Sequence, residues 1–379
     1  MLIDRSIFIR IRNQLRGEPK VIIIYGPRQS GKTTLIEQLL KVEDRSYLNF
    51  DGDDFRTQEL FSVPDLDRLK KVVGTNRLLV IDEAQRINNI GLTLKLIFDS
   101  LKIHIIASGS SSFDLANKIN EPLTGRSITF TLYPFSVHEV PKSALETIPS
   151  KIDEFLRFGL FPKVVALTSE AEKELYLNEY INNYLYKDIL SFETVRKPKK
   201  VIDLLSLLAL QIGNEVSIQE LAQNLSLSKI IIEKYLDLLE KMFVIINLRG
   251  FSRNLRKEIS KTSKYYFIDP GLRNALIRNF NPFNLRTDKG AMFENLCLIE
   301  RIKILAARGE AANFYFWRTY DQKEIDLIEE RKGQLSAFEF KLSTKGSHKT
   351  SAEIEFTSTY HNSTYKLIGP NELEQFLSY

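Results

Sequence analysis

A chain of 379 residues is too long for one ordinary hydrophobic core and, at roughly 150 residues per domain, divides into two or three. Apolar residues make up 43% and charged residues 27%, a globular balance, so the chain should fold. The net charge of +5 is compatible with nucleic acid or acidic lipid but too mild to establish either, and a single cysteine, Cys297, excludes an intramolecular disulfide framework and points to a reducing compartment.

The first ten residues, MLIDRSIFIR, carry Asp4 and alternating charges where a signal peptide needs a continuous apolar stretch. No later run reaches the ~20 apolar residues of a membrane span, so a cytoplasmic protein with no membrane partner is expected. No fixed-period repeat or low-complexity segment is present. Residues 5–16 alternate charged and apolar side chains, consistent with an amphipathic helix or strand.

Residues 21–34, VIIIYGPRQSGKTT, read as a buried strand, a glycine-containing loop and the start of a helix running from about 32 to 41. Gly26, Gly31, Lys32 and Thr33 complete the GxxxxGK[ST] pattern of a phosphate-binding loop. Consecutive N–H groups of the loop would point at the phosphates of ATP, and Gly26, Pro27, Arg28, Gln29, Ser30, Gly31, Lys32, Thr33 and Thr34 are the expected nucleotide-binding residues. Lys32 would reach the β- and γ-phosphates, and the Thr33 hydroxyl would bind Mg²⁺.

A second strand is expected within 45–54, ending in the acidic turn DGDD. Leu78 to Ile81 form a continuous apolar strand suited to the centre of a parallel sheet, with Asp82 and Glu83 at its carboxyl end, where open α/β sheets bind ligands. Asp82 is expected on Mg²⁺ and Glu83 as the general base that polarises water. KIHIIASGSSS at 102–112 repeats the arrangement, and Ser108 and Ser110 are candidates for a polar group that senses the γ-phosphate, or for a plain serine-rich turn.

Taken together, GPRQSGKTT, LLVIDEAQ, ASGSSS, LTGR and YPFSVHE resemble the AAA+ branch of the P-loop ATPases, and more closely a group of mostly archaeal and bacterial AAA+ ATPases with a nuclease-like C-terminal region. The resemblance implies that Arg126 is an arginine finger acting on a neighbouring subunit's γ-phosphate, and hence a homo-oligomeric ring, a hexamer. It also implies a helical lid over the nucleotide in residues 150–195, with an adenine-contacting element at Gly159 and Pro162. Leu160 departs from the glycine expected there.

After the basic stretch VRKPKK at 195–200, which reads as a linker, VIDLLSLLALQIG, EVSIQELAQNL and SLSKIIIEKYLDLLEKM read as three helices, the second entered at Ser217 with capping-box spacing to Glu220. FVIINLRGFSRNLRK reads as a strand and basic hairpin. The pattern resembles a winged helix-turn-helix, with Lys229 and Lys234 on the third helix and Arg249, Arg253, Arg256 and Lys257 on the wing. Such a set fits phosphate contacts better than base readout, so DNA recognised by structure rather than sequence is the expected partner, while winged helices also serve as protein-binding modules.

Further on, Glu294 falls in a helix, Asp326 in a strand, and Glu339 and Lys341 two apart in the next, on one face by period-2 geometry. Asp326 and Glu339 could share a divalent cation while Lys341 steadies a nucleophilic hydroxide. The series, with Glu294 as a further metal ligand, resembles the PD-(D/E)XK restriction-endonuclease-like superfamily, whose members often lose cleavage and keep binding.

The expected fold class is α/β. A P-loop NTPase core with a parallel sheet spans 1–140, a helical lid 141–198, a winged helix 199–260 and an α/β restriction-endonuclease-like domain 261–379. The expected function is Mg²⁺-dependent ATP hydrolysis coupled to DNA remodelling or translocation, of helicase or branch-migration type. The alternatives are a nucleotide-dependent signalling or defence switch and an ATP-gated nuclease.

Overall fold

The computed structural model describes residues 3–110, 123–141, 146–191, 195, 197–252, 263–343 and 350–378, with the backbone alone at 184, 188, 190 and 191. They form two compact units, residues 1–135 with 241–243, and 136–240 with 244–379.

The first unit is built on a five-stranded sheet of order β2-β3-β4-β1-β5, formed by Tyr47–Asp51 (β2), Leu78–Asp82 (β3), His104–Gly109 (β4), Val21–Tyr25 (β1) and Ser127–Thr131 (β5). Every pairing is parallel. β1 shows why an unbroken apolar run folds this way. Val21, Ile23 and Tyr25 enter one core with Leu79, Ile81 and Ile105, while Ile22 and Ile24 enter the opposite core with Leu78, Val80 and Ile106. A strand buried on both faces has no polar side to alternate with.

Helices cover both faces. Phe8–Arg16 (α1) and Lys32–Lys41 (α2) pack Ile11, Leu15, Leu35 and Leu39 on one; Phe55–Phe61 (α3), Leu66–Val73 (α4) and Ile90–Leu101 (α5) pack Phe61, Leu69, Leu94 and Ile97 on the other. The N-terminal segment thus resolves as a helix. Because all strands run the same way, the Gly26 loop, Asp82 and Ser108 share one sheet edge, and β4 sets Ser108 between the other two.

The second unit begins with helices Ile148–Phe158, Pro162–Ala166, Glu170–Glu179, Tyr186–Ser191 and Pro198–Leu210, with a π turn at Tyr180–Leu185. A mixed seven-stranded sheet follows, of order β12-β11-β10-β9-β7-β8-β6. Its strands are Glu215–Val216 (β6), Ile245–Gly250 (β7), Ser263–Phe267 (β8), Asn313–Arg318 (β9), Glu324–Arg331 (β10), Gln334–Phe340 (β11) and Ser363–Ile368 (β12). Helices Ile218–Leu225 and Lys229–Lys241 precede β7, and Ser217 caps the first by accepting the Glu220 N–H at 3.3 Å. β7 pairs antiparallel with β8 and parallel with β9, where Arg249 faces Tyr315. The strands expected in a wing and in a separate last domain therefore form one sheet, and the expected boundary at 260/261 falls between paired strands. Among the described residues, no helix is long and apolar enough to cross a membrane.

The helix Lys289–Arg308 buries an ion pair. Arg301 Nε lies 2.6 Å from Glu329 Oε2 and NH2 3.1 Å from Oε1, with both side chains at most 1% exposed. A third bond, from NH1 to the Phe376 carbonyl at 2.9 Å, ties the C-terminal helix Leu373–Ser378 to the pair. Glu329→Ala is expected to cost about 3–5 kcal/mol by leaving a buried guanidinium uncompensated, whereas Arg301→Met combined with Glu329→Leu should be close to neutral. Thermal unfolding of the three proteins tests this; a double variant as damaged as the single one would refute it.

Candidate functional site

In the first unit the chain leaves β1 into the Gly26–Ser30 loop and enters α2 at Gly31, which caps the helix in the left-handed region at φ 95°. Lys32 folds back, its Nζ donating to the carbonyls of Gly26 and Pro27, each at 3.0 Å. Arg28 and Gln29 are half-buried, Ser30 is buried, and Thr33 and Thr34 are exposed on the first turn of α2. Behind the loop, Arg5 NH1 donates to the Ser30 carbonyl at 3.1 Å and NH2 to the Tyr133 carbonyl, with the guanidinium 4.6 Å from the centre of the Phe135 ring. That brace, from a residue before α1, was not visible in the sequence.

The acidic pair stands directly opposite. Thr33 Oγ1 donates to Asp82 Oδ2 at 2.6 Å, while Asp82 Oδ1 accepts from the Ser108 hydroxyl and, at 3.0 Å, from the Glu83 N–H. A hydroxyl and a carboxylate set side by side at a phosphate loop are the hard oxygen donors that Mg²⁺ takes, so these residues fit the ion. Glu83 lies in the left-handed region, φ 48°. Gly52, just past β2, donates its N–H to the Asp82 carbonyl at 2.8 Å, and a Cβ there would stand 2.4 Å from the Glu83 carbonyl oxygen. Only glycine lets the turn after β2 support the acidic turn so closely. Gln85 Nε2 donates to the Glu83 carboxylate and, at 3.1 Å, to Ser110 Oγ, linking the expected base to an expected sensor. Neither Gly52 nor Gln85 stood out beforehand, although Gln85 lies in the same LLVIDEAQ run.

Arg126 lies at the amino end of β5, its carbonyl accepting the Val21 N–H at 3.1 Å. The phosphate loop leaves the carboxyl end of β1. In this register that is a strand length away, roughly 17 Å. Arg126 Nε instead donates to Asp99 Oδ1 at 2.7 Å, and this bond holds the Asp99 carboxyl below its ordinary range.

The remaining expected residues lie in the second unit. Gly159 sits against Asp269, where a Cβ would meet Oδ1 at 1.8 Å, and the next N–H, of Leu160, donates to Asp269 Oδ2 at 2.7 Å. Asp269 also caps the helix Pro270–Leu276. The turn before Pro162 is thus occupied by packing within its own unit, and Pro162 opens the helix Pro162–Ala166. Lys229 and Lys234 are exposed on Lys229–Lys241, and Arg249 is exposed on β7. Arg253, Arg256 and Lys257 lie outside the described residues.

Glu294, Asp326 and Glu339 do gather in one neighbourhood, each with a partner of its own. Glu294 accepts from the Tyr266 hydroxyl and lies 3.4 Å from Lys264 Nζ; Asp326 Oδ2 accepts the Phe340 N–H at 2.8 Å; Glu339 accepts from Tyr365 and pairs with Lys341 at 2.6 Å. Burial raises the carboxyl of Glu294 and, with the charge of Glu294 added, lifts that of Asp326 well above its usual range. Burial pulls the Lys264 ammonium down, but the charges of Glu294 and Glu324 outweigh it and leave its pKa raised. Among the described residues, no group of three or more His, Cys, Asp and Glu side chains is placed to hold a metal ion.

Comparison with known proteins bears on both units. Residues 18–141 match a family model described as an AAA domain, and residues 149–282 and 289–374 match two models described as domains of unknown function, DUF8612 and DUF4143. An uncharacterized protein of Mycobacterium tuberculosis is 29% identical over 347 residues, covering 90% of this chain and 74% of its own. An uncharacterized protein of Methanocaldococcus jannaschii is 28% identical over 332 residues, covering 82% and 72%. Among solved structures, the Walker-type ATPase of Pyrococcus abyssi matches at a TM-score of 0.51 and 17% identity over 73% of this chain and 96% of that one, a likeness of fold. The first unit is thus similar to AAA-type P-loop ATPase domains, and a helical region and a mixed-sheet domain follow it.

Proposed function

We propose that the chain is a Mg²⁺-dependent ATPase that works as a homo-oligomeric ring, a hexamer, and couples hydrolysis to DNA held by its second unit. The observation that carries the ATPase reading is the joined set Thr33, Asp82, Ser108, Glu83 and Gln85 beside the phosphate loop. Backbone N–H groups of the loop and the amino end of α2 would bind the phosphates, and Lys32 would exchange its two carbonyl partners for phosphate oxygens. Thr33 and Asp82 would hold Mg²⁺, which when bound neutralises charge on the β- and γ-oxygens. Glu83 would take the proton of the attacking water, while Ser108 keeps Asp82 turned toward Thr33.

The DNA reading rests on the helix pair Ile218–Leu225 and Lys229–Lys241 followed by the β7–β8 hairpin, the order of a winged helix, with Lys229, Lys234 and Arg249 exposed. One observation favours a second reading, a nucleotide-controlled switch: Gln85 already engages the Glu83 carboxylate, a resting arrangement suited to slow hydrolysis. Steady-state ATP turnover with no DNA, single strands, duplex and a four-way junction separates the two. A DNA-coupled ATPase is stimulated by one form, and with three phosphate contacts its DNA affinity falls by about 40-fold for a fourfold rise in salt. Slow turnover indifferent to every DNA form would favour the switch.

A further inference from the structure

The second unit holds a cation of its own at the place where the carboxylates of the last strands meet. Lys264, on β8, is 2% exposed at its side chain. Its Nζ pairs with Glu324 at the start of β10, lies 3.4 Å from Glu294 Oε1, and stands 5.4 Å from the centre of the Phe316 ring. Tyr266, two residues further along β8 and so on the same face, donates its hydroxyl to Glu294. An ammonium group buried this deeply persists only where charge and hydrogen bonds compensate it. Here two carboxylates and an aromatic face do so.

The neighbouring carboxylates carry partners as well. Asp326 gives one oxygen to the Phe340 N–H, and the two oxygens of Glu339 go to Lys341 and Tyr365. A divalent ion needs several such oxygens free and convergent, and it would meet the Lys264 ammonium as a like charge.

We infer that Lys264 is the resident cation of this carboxylate cluster, and that the second unit holds its nuclease-like set of acidic residues closed around a side chain in place of a metal ion. The device is contributed from outside the E, D and E–x–K residues themselves, by the strand that also builds the hairpin after Lys229–Lys241. It makes this face a structural or binding element without metal-dependent cleavage, whatever the first unit does with ATP.

The test uses the full chain, free of nucleotide, with MnCl₂ as the probe, reading bound Mn²⁺ by electron paramagnetic resonance and stability by thermal unfolding. Wild type, Glu294→Gln and Asp326→Asn should bind the same amount of Mn²⁺, so that any ion at Thr33 and Asp82 cancels in the comparison. Lys264→Met should melt several degrees lower without Mn²⁺, regain stability with it, and lose that gain when Asp326→Asn is added. Mn²⁺ held by wild type and released by Asp326→Asn or Glu294→Gln would overturn the inference. So would a Lys264→Met protein that melts like wild type and gains no affinity for the ion. Should Lys264→Met not fold, the comparison of wild type with the two carboxylate variants decides alone.

Discussion

Glu83→Gln is expected to bind ATP as tightly as wild type and to hydrolyse it about 10²–10⁴ times more slowly, the usual contribution of a positioned general base. The two halves of this expectation come from different parts of the site. Binding belongs to the loop, to Lys32 on the Gly26 and Pro27 carbonyls, and to the Thr33–Asp82 pair, none of which uses the Glu83 side chain. Proton transfer is the part proposed for the carboxylate. Its backbone is set apart from it, with the Glu83 N–H on Asp82 Oδ1 and the turn supported by Gly52, so exchanging one carboxylate oxygen for an amide leaves the turn in place. The amide keeps a carbonyl oxygen for the Gln85 side chain to donate to. Nucleotide titration, phosphate release and the melting temperature should therefore separate, the second collapsing while the first and third hold. Turnover near wild type would remove Glu83 from the role of base and leave Asp82 or a water chain in its place.

The contrast between the two units shows what a sequence states locally and what it leaves to folding. β1, β3 and β4 were legible because a central parallel strand must be apolar on both faces, and because each carries at or just past its carboxyl end a residue proposed for the nucleotide site, Gly26, Asp82 and Ser108. Support for that edge was not legible. Arg5 reaches the Ser30 carbonyl from 25 residues upstream, and Gly52 reads as one letter of an acidic turn until β2 is seen beside β3. Gln85 was in view and carried no recognisable pattern; only the fold brings Ser110 to it.

In the second unit the acidic letters were found, with Lys341 beside Glu339, and the cation that pairs with Glu294 was not. Glu294, Asp326 and Glu339 do share a neighbourhood, but Lys264 enters it from a strand 60 residues before Glu324, along a part of the sheet that exists only because β7 pairs with β9. A series of common residues at loose spacing says nothing of such a partner. The same long-range pairing explains why a hairpin and a last domain, expected to be separate, fold as one sheet.

Arg126→Ala is expected to lower turnover by about 10³–10⁵, the range of an arginine finger, with ATP affinity retained. Geometry makes this a statement about assembly. Arg126 precedes β5, at the opposite end of the sheet from the loop that follows β1, beyond the reach of its side chain, so any contact with γ-phosphate comes from a neighbouring copy. A face carrying Arg126 that meets a face carrying Lys32 is a heterologous contact, the kind that closes into a ring. The competing role is the ion pair with Asp99, in which both side chains are about one-third exposed and which solvent weakens. If that pair were the whole purpose of Arg126, Asp99→Asn and Arg126→Ala would alter the melting temperature alike and neither would alter turnover. If Arg126 is a finger, Asp99→Asn leaves turnover intact or raises it by releasing the guanidinium, and only Arg126→Ala abolishes it. Mixing carries the argument further. Glu83→Gln subunits keep the arginine and Arg126→Ala subunits keep the base, so in equal mixture roughly a quarter of heterologous interfaces join one of each in the productive order. Turnover recovered to that extent from two inactive proteins requires the residue to act across subunits, and no recovery in a mixture shown to co-assemble would return Arg126 to its pairing with Asp99.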